Sequence, residues 1–206
     1  MRITSFLIMI CIGLSLYAWT NPNLTLAFSL MALMNGNYYT LVTAIFIHSD
    51  LLHLAGNMLF LYLFGTFLEK EVGPLRTGVA FFTGGILTFI ISIPFYPQSN
   101  MVGASGAIFT LMAAVLLVRQ PGISGRFLSP IGPLAILFFI FNMISIQSRE
   151  PGSVAYISHA IGFVIGLFFG ANWNEEWKQS LLFTLILLVL YLILYNSLIR
   201  FFFVSL

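Results

Sequence analysis

The sequence predicts an all-α membrane protein with seven membrane-crossing helices. Of its 206 residues, 60% are hydrophobic and only 7% are charged, and the mean hydropathy is +1.03. Soluble globular chains carry about 25% charged residues. A water-soluble fold is therefore excluded. Lipid gives open backbone no hydrogen-bond partner, so each long apolar stretch is expected to be a helix.

The predicted spans are seven apolar stretches whose connections hold nearly all the proline, asparagine and charged residues. Such connections are typical of helix ends and turns. The spans cover residues 3–19, 51–68, 75–95, 104–118, 131–146, 154–171 and 181–204.

The fourth stretch is short for a membrane span. At about 1.5 Å per residue it covers roughly 22 Å of a hydrocarbon layer about 30 Å thick. Its amino terminus is therefore expected to begin below the outer surface, beside a cavity that holds protein or water. In the long first connection, residues 20–50, an apolar patch at 24–34 is too short to cross and is predicted to be an outer-surface interfacial helix.

The orientation follows from the basic residues. With the amino terminus in the cytoplasm, six of the eight basic residues fall on that side, which the positive-inside rule favours. These six are Arg2, Lys70, Arg76, Arg119, Arg126 and Lys178.

Composition also excludes several functions. All acidic residues fall at or beyond the ends of the predicted spans, which argues against ion-coupled transport and proton relays; they are Asp50, Glu69, Glu71, Glu150, Glu175 and Glu176. A single aspartate rules out a paired-aspartate protease. The single cysteine and the missing H-E-x-x-H motif argue against a metal site, and neither a metal nor a cofactor is expected. Net charge +2 without a basic run makes nucleic acid an unsuitable partner.

Three polar side chains are predicted to meet at one depth. His53, Ser105 and His159 each lie within roughly two turns of the outer end of an even-numbered span. Ionisable groups inside a span are costly, so a function is the first hypothesis. The alternative is an interhelical hydrogen bond that only ties the bundle together.

Ser105 is the candidate nucleophile. It follows Gly103 and Ala104 and precedes Gly106, so the glycines permit a tight turn that leaves the serine at a helix amino terminus. Unsatisfied N–H groups and the positive end of the dipole there would stabilise an oxyanion. The commoner meaning of such a serine is a helix cap.

His159 is the candidate base, and a ridge of small residues follows it. Glycines at 162, 166 and 170 are expected to face the small residues at 106, 110 and 114 of the fourth span. Such close packing would let the Ser105 hydroxyl reach the imidazole. Ser158 is a weaker nucleophile candidate, because adjacent helical side chains diverge by about 100°.

His53 and Asn57 lie one turn apart on a shared face of the second span. Both can donate hydrogen bonds to a developing negative oxygen. The alternative for Asn57 is a structural contact that holds a neighbouring helix. His48 is expected to be structural. Phe109, one turn after Ser105, is placed to stack on the imidazole.

These motifs resemble those of the rhomboid family of intramembrane serine proteases. The residues that carry the resemblance are H-x-x-x-N at His53 and Asn57, G-A-S-G at 103–106, and H-x-x-G-x-x-x-G at His159, Gly162 and Gly166. Their order on the second, fourth and sixth spans matches as well.

The resemblance implies a six-helix core, residues 1–178 with its long first loop at 20–50, plus a seventh helix in residues 179–206. It implies a Ser105–His159 dyad without an acidic third member, and an oxyanion site of His53, Asn57 and the Ser105 N–H. Gly103, Gly106, Phe109, Gly162 and Gly166 would support that site.

The implied activity is endoproteolysis of transmembrane segments near the outer membrane face. Single-span membrane proteins would be the substrates and the lipid bilayer the surroundings, with an oligomeric state that the sequence leaves open. The expected location is the plasma membrane of a prokaryote. A non-proteolytic binder of transmembrane segments that keeps the same fold is the alternative.

Overall fold

A computed structural model describes residues 2–118, 156–179, 181, 182 and 186. The described part is helical. Its elements are α1 (Ile3–Thr20), α2 (Leu30–Met34), α3 (Thr40–Phe46), α4 (Leu51–Phe60), a π-helical turn (Leu61–Gly65), α5 (Thr66–Val72), α6 (Pro74–Ser92), α7 (Ser105–Val118) and α8 (Tyr156–Trp173).

Three helical segments among these residues are long and apolar enough to cross a membrane. They are Ile3–Thr20, Leu51–Val72 and Pro74–Ser92, and α7 and α8 are shorter apolar helices. This agrees with a polytopic membrane protein. The predicted fifth span, nearly all of the seventh and the boundary at 178/179 cannot be compared, because residues 131–146 and most of 181–204 lie outside the described part.

The second span is one helical rod of three pieces. Asp50 begins it by accepting a hydrogen bond from the His53 N–H at 2.8 Å, a typical amino-terminal cap. The π-helical turn then interrupts the α geometry where Gly65 meets α1. A Cβ on Gly65 would lie 2.8 Å from Thr4 Cγ2, so this close approach needs glycine.

The second span is longer than predicted, since its helix runs to Val72 rather than residue 68. Glu69 therefore lies within the helix. Its carboxylate accepts from the N–H groups of Ile3 and Thr4 and from Thr4 Oγ1, at 3.0, 3.1 and 2.7 Å. These donors are the unsatisfied first turn of α1, so an acidic side chain of one span caps the amino terminus of another.

Helix α7 forms the centre of the described bundle. All its side chains from 106 to 117 are buried, and it packs between α6 and α8. Such burial on all faces is expected for a uniformly apolar helix enclosed by other helices. The predicted start at 104 is one residue early.

The predicted small-residue contact between α7 and α8 is present. A Cβ added to Gly162 would overlap the carbonyl oxygen of Gly106, and one added to Gly166 would overlap that of Thr110. Thr110 Oγ1 also donates to the Gly162 carbonyl at 2.9 Å. The two backbones thus touch directly, which only glycine permits.

The predicted interfacial helix at 24–34 is wrong. Only Leu30–Met34 is helical, while Phe28 pairs with Met101 in an antiparallel bridge. The Phe28 side chain is fully buried and stacks on Phe89 with ring centroids 5.4 Å apart. Burial of the aromatic ring within the bundle and two backbone hydrogen bonds outweigh what a short helix on the surface would gain.

The ends of two further spans differ from prediction. Helix α6 ends at Ser92 rather than at residue 95. Pro94 follows shortly after and lacks the N–H that would continue the helical hydrogen bonds. Helix α8 continues to Trp173 instead of ending at 171.

Replacement of Gly166 by alanine should destabilise the protein, because the added methyl group would force α7 and α8 apart. We expect a loss of about 1–3 kcal/mol, typical of overpacking, measured as a lower unfolding midpoint in detergent. Gly13→Ala is the matched control, since nothing lies within 4 Å of its added Cβ. An equal effect of both changes would contradict the contact.

Candidate active site

The side chains of Ser105 and His159 meet across the α7–α8 contact. Ser105 Oγ lies 2.8 Å from His159 Nε2, the distance of a good hydrogen bond. The two residues are 54 positions apart in sequence, and the glycine contact one turn below brings their helices together. A hydroxyl that donates to a neutral imidazole can lose its proton to it, which is the arrangement of an activated nucleophile.

Ser105 is the first residue of α7. The turn before it uses Gly103 at φ +111°, in the region that residues with side chains rarely adopt. A Cβ on Gly103 would also lie 2.8 Å from the ring of His53. Glycine at 103 is therefore required twice, by the backbone and by the neighbouring imidazole.

Phe109 stacks on His159, as predicted. Its ring stacks on that of His159 with centroids 4.5 Å apart and an interplanar angle of 11°. His159 is 9% exposed. The flat contact limits rotation of the imidazole and keeps Nε2 directed at Ser105.

Ser158 lines the same cavity as the pair, but its hydroxyl bonds to another helix. Its hydroxyl forms a hydrogen bond of 2.7 Å with Ser92 of α6. Helix α8 is thus held on one side by α7 through its glycines and on the other by α6. Tyr96 adds to this by accepting a hydrogen bond from the Ile157 N–H.

His53 and Asn57 line the same cavity as the Ser105–His159 pair. The cavity has a volume of about 740 Å³, and all four residues line it. Asn57 Nδ2 donates to the His53 carbonyl at 2.9 Å, which leaves its second amide hydrogen for another acceptor. Asn57 is only 8% exposed.

Thr88 of α6 is a cavity residue that sequence analysis missed. It lines the cavity, its side chain is 1% exposed, and Thr88 Oγ1 has no hydrogen-bond partner among the described residues. It packs against Gly106. No local pattern distinguishes it from other threonines on apolar helices, so only the packing of α6 on α7 identifies it.

His48 is buried, although it precedes α4 in a connection. It is 3% exposed and its ring meets that of His53 edge to face, with centroids 5.1 Å apart. The pKa of His48 is lowered to about 4, mainly by burial and then by the neighbouring His53, while the Phe46 carbonyl and Asp50 act in the opposite direction. The imidazole is therefore neutral at pH 7.

The low pKa of His48 makes stability depend on pH. Because the ordinary value is 6.5 and the folded value about 4, the unfolded chain binds more protons between those two values. Stability should fall as pH falls through this window, by up to about 3 kcal/mol, and change no further from this group below pH 4.

The measurement compares unfolding midpoints in detergent from pH 7 to pH 4 for the native chain and His48→Gln. The variant should show a flatter decline, since the group with the depressed pKa is gone. Parallel curves would show that His48 does not titrate in this window.

The fold and site thus define a polytopic helical membrane protein with a serine–histidine pair in a cavity. The family model for the Rhomboid domain matches residues 35–176, more than half of the chain. The chain belongs to the rhomboid family.

Three curated relatives illustrate the range of the family. Rhomboid-like protein 11, chloroplastic, of Arabidopsis thaliana is 37% identical over 40% of this chain and 30% of the relative. Rhomboid protease GluP of Bacillus subtilis is 37% identical over 52% of this chain and 21% of the relative. Inactive RHOMBOID-like protein 8 of Arabidopsis thaliana is 30% identical over 53% of this chain and 31% of the relative. The chain thus spans a third or less of each relative's length.

Proposed function

We propose that this chain is an intramembrane serine endopeptidase that cleaves transmembrane segments of single-span membrane proteins near the outer face. The observation that carries the proposal is the 2.8 Å contact between Ser105 Oγ and His159 Nε2 in a cavity at the outer helix ends. Similarity to a relative named as a protease supports the same activity.

His159 acts first as the general base. Its Nε2 takes the proton from Ser105 Oγ as that oxygen bonds to the scissile carbonyl carbon, and the C=O electron pair moves to the oxygen. Collapse of this adduct breaks the C–N bond, and the leaving amine takes the proton from His159. Water then hydrolyses the acyl ester with the same imidazole as base, which restores Ser105. Neither a metal nor a cofactor takes part.

Three groups stabilise the negative oxygen. The Ser105 N–H is among the first four of α7, which have no acceptor inside the helix, and the amino-terminal end of the dipole adds to it. His53 and the second amide hydrogen of Asn57, both in the same cavity, are the other two donors. Such a donor typically contributes about 3 kcal/mol to lowering the barrier.

Substrate geometry limits which segments are cut. Helical peptide bonds are hydrogen-bonded and sterically covered, so a transmembrane substrate must unwind locally before its carbonyl reaches Ser105. Glycine and other weak helix formers near the cut should favour cleavage. The cavity of about 740 Å³ has room for such an extended stretch and for the hydrolytic water.

Orientation and location belong to the same proposal. The predicted cytoplasmic amino terminus places the cavity at the outer face. A multi-pass membrane protein is supported by the apolar helices. The prokaryotic plasma membrane stays a prediction without support, since two plant relatives are named as chloroplastic and mitochondrial.

The alternative is a binder of transmembrane segments without protease activity. The name of one relative, which calls it inactive, keeps this alternative in view. A serine and a histidine in hydrogen-bond contact favour the enzyme instead, because binding alone does not need that contact.

Replacement of Ser105 by alanine should abolish both cleavage of a transmembrane substrate in proteoliposomes and covalent labelling by a fluorophosphonate. The nucleophilic oxygen is then missing while the fold is unchanged. Ser158→Ala is the matched control and should still be labelled, since Ser158 bonds to Ser92. An unlabelled native chain that still captures the substrate would support the binder instead.

Replacement of Asn57 by alanine should reduce kcat by about 10- to 100-fold with little change in KM, because the lost hydrogen bond forms mainly in the transition state. Asn172→Ala is a close control, since Asn172 makes the same bond to the carbonyl four residues earlier but lies on an exposed face of α8. A larger KM with unchanged kcat would assign Asn57 to substrate binding.

A further inference from the structure

The segment just before Ser105 is fastened by the first connection of the chain. The Met101 N–H donates to the Phe28 carbonyl at 2.7 Å and the Gly103 N–H to the Ala44 carbonyl at 2.8 Å. The next N–H, that of Ala104, makes a longer bond of 3.4 Å to His48 Nε2. The N–H of Ala104, directly before Ser105, is therefore bonded to a side chain rather than to another backbone group.

The other side of the His48 ring bonds to α1. His48 Nδ1 lies 3.1 Å from Ser15 Oγ, and Ser15 Oγ lies 3.2 Å from the Phe46 carbonyl. A carbonyl only accepts, so Ser15 donates its single proton to Phe46 and must accept at its contact with His48. His48 Nδ1 is therefore protonated.

The contact with Ala104 leads to the same tautomer independently. A backbone N–H only donates, so His48 Nε2 must carry a lone pair. Both ends of the ring thus agree on a neutral imidazole with its proton on Nδ1. His48 and Ser15 are 3% and 0% exposed, and the Trp19 indole N–H also holds the His48 carbonyl at 2.8 Å.

Few charged groups face this ring. Helix α1 has none, since Ile3–Thr20 contains no charged side chain. From the start of α4 come His53, edge-on to His48, and the Asp50 carboxylate two residues away. Within the described residues, the proton on Nδ1 therefore faces uncharged acceptors, Ser15 Oγ and the Phe46 carbonyl, rather than an ion pair.

We propose that His48 is a positioning residue for the protease site and that Ser15 holds it in the required tautomer. The role in activity rests on the proposed function, whereas the tautomer of His48 does not. His48 accepts from Ala104 and so fixes the Gly103–Ala104 peptide. Ala104 in turn accepts from the Ile108 N–H at 2.9 Å, which makes it the N-cap residue of α7, directly before Ser105.

The reason a side chain is needed there is the freedom of the glycine. Gly103 has many accessible backbone conformations, and a rotation of its peptide would move Ser105 relative to His159. A displacement of about 1 Å can reduce a rate by about 100-fold. The hydrogen bond that His48 Nε2 accepts from the Ala104 N–H restricts that freedom without touching the substrate.

The activity test compares two replacements of His48. Leucine removes the acceptor, whereas glutamine can place Oε1 where Nε2 accepts. We expect His48→Leu to reduce kcat and the fluorophosphonate labelling rate of Ser105 by about 30-fold or more with KM unchanged, and His48→Gln to restore most of both. Equal losses in the two variants would overturn the proposal.

The tautomer is tested without activity by nitrogen NMR of the native chain labelled at histidine. The chain has only three histidines, and the spectrum of His48→Gln assigns the His48 signals by their absence. A neutral His48 protonated at Nδ1 is expected, and protonation at Nε2 would overturn the proposal even if His48→Leu failed to fold.

Ser15→Ala completes the test, with Ser5→Ala as its control on the same helix. Loss of the acceptor should shift the proton of His48 away from Nδ1 and reduce kcat, while the control leaves both unchanged. No change in either quantity for Ser15→Ala would contradict the role of Ser15. If the native chain is not labelled at Ser105 but shows the Nδ1 proton, the proposed function fails and the assignment of the tautomer stands.

Discussion

The site depends on one contact, the direct approach of the backbones of α7 and α8. Gly162 and Gly166 face carbonyl oxygens of α7 so closely that a Cβ would overlap them. This approach sets the 2.8 Å distance between Ser105 Oγ and His159 Nε2. Lipid contributes no hydrophobic force between helices, so van der Waals packing and hydrogen bonds must hold the pair. The bond from Thr110 to the Gly162 carbonyl supplies one of these.

Around this pair, two carboxylates cap the amino termini of helices. Glu69 caps α1 at one end of the bundle, and Asp50 caps α4 at the other. The ring of His159 lies flat against Phe109, and an uncharged contact of this kind suits a medium where a buried charge would be costly.

Much of the site could be predicted because spacing along a helix determines which side chains share a face. His53 with Asn57, Ser105 with Phe109, and the glycines after His159 all follow from the 3.6-residue period. The path of residues 24–34 could not be predicted, because Phe28 pairs with Met101, 73 positions later. An apolar run alone does not distinguish an interfacial helix from a segment that enters the bundle. The cavity position of Thr88 and the contact of His48 with Ala104 could not be predicted for the same reason.

The sequence by itself determined that the chain is a helical membrane protein, and it indicated which polar residues share a helix face and which serine and histidine are candidates. These properties depend on composition and local periodicity. The tertiary structure alone decided that Ser105 and His159 are in contact, that Ser158 bonds to Ser92 instead, and that His48 bonds to Ala104. Hydrogen bonds between distant segments depend on how helices pack in three dimensions, and no local pattern records that.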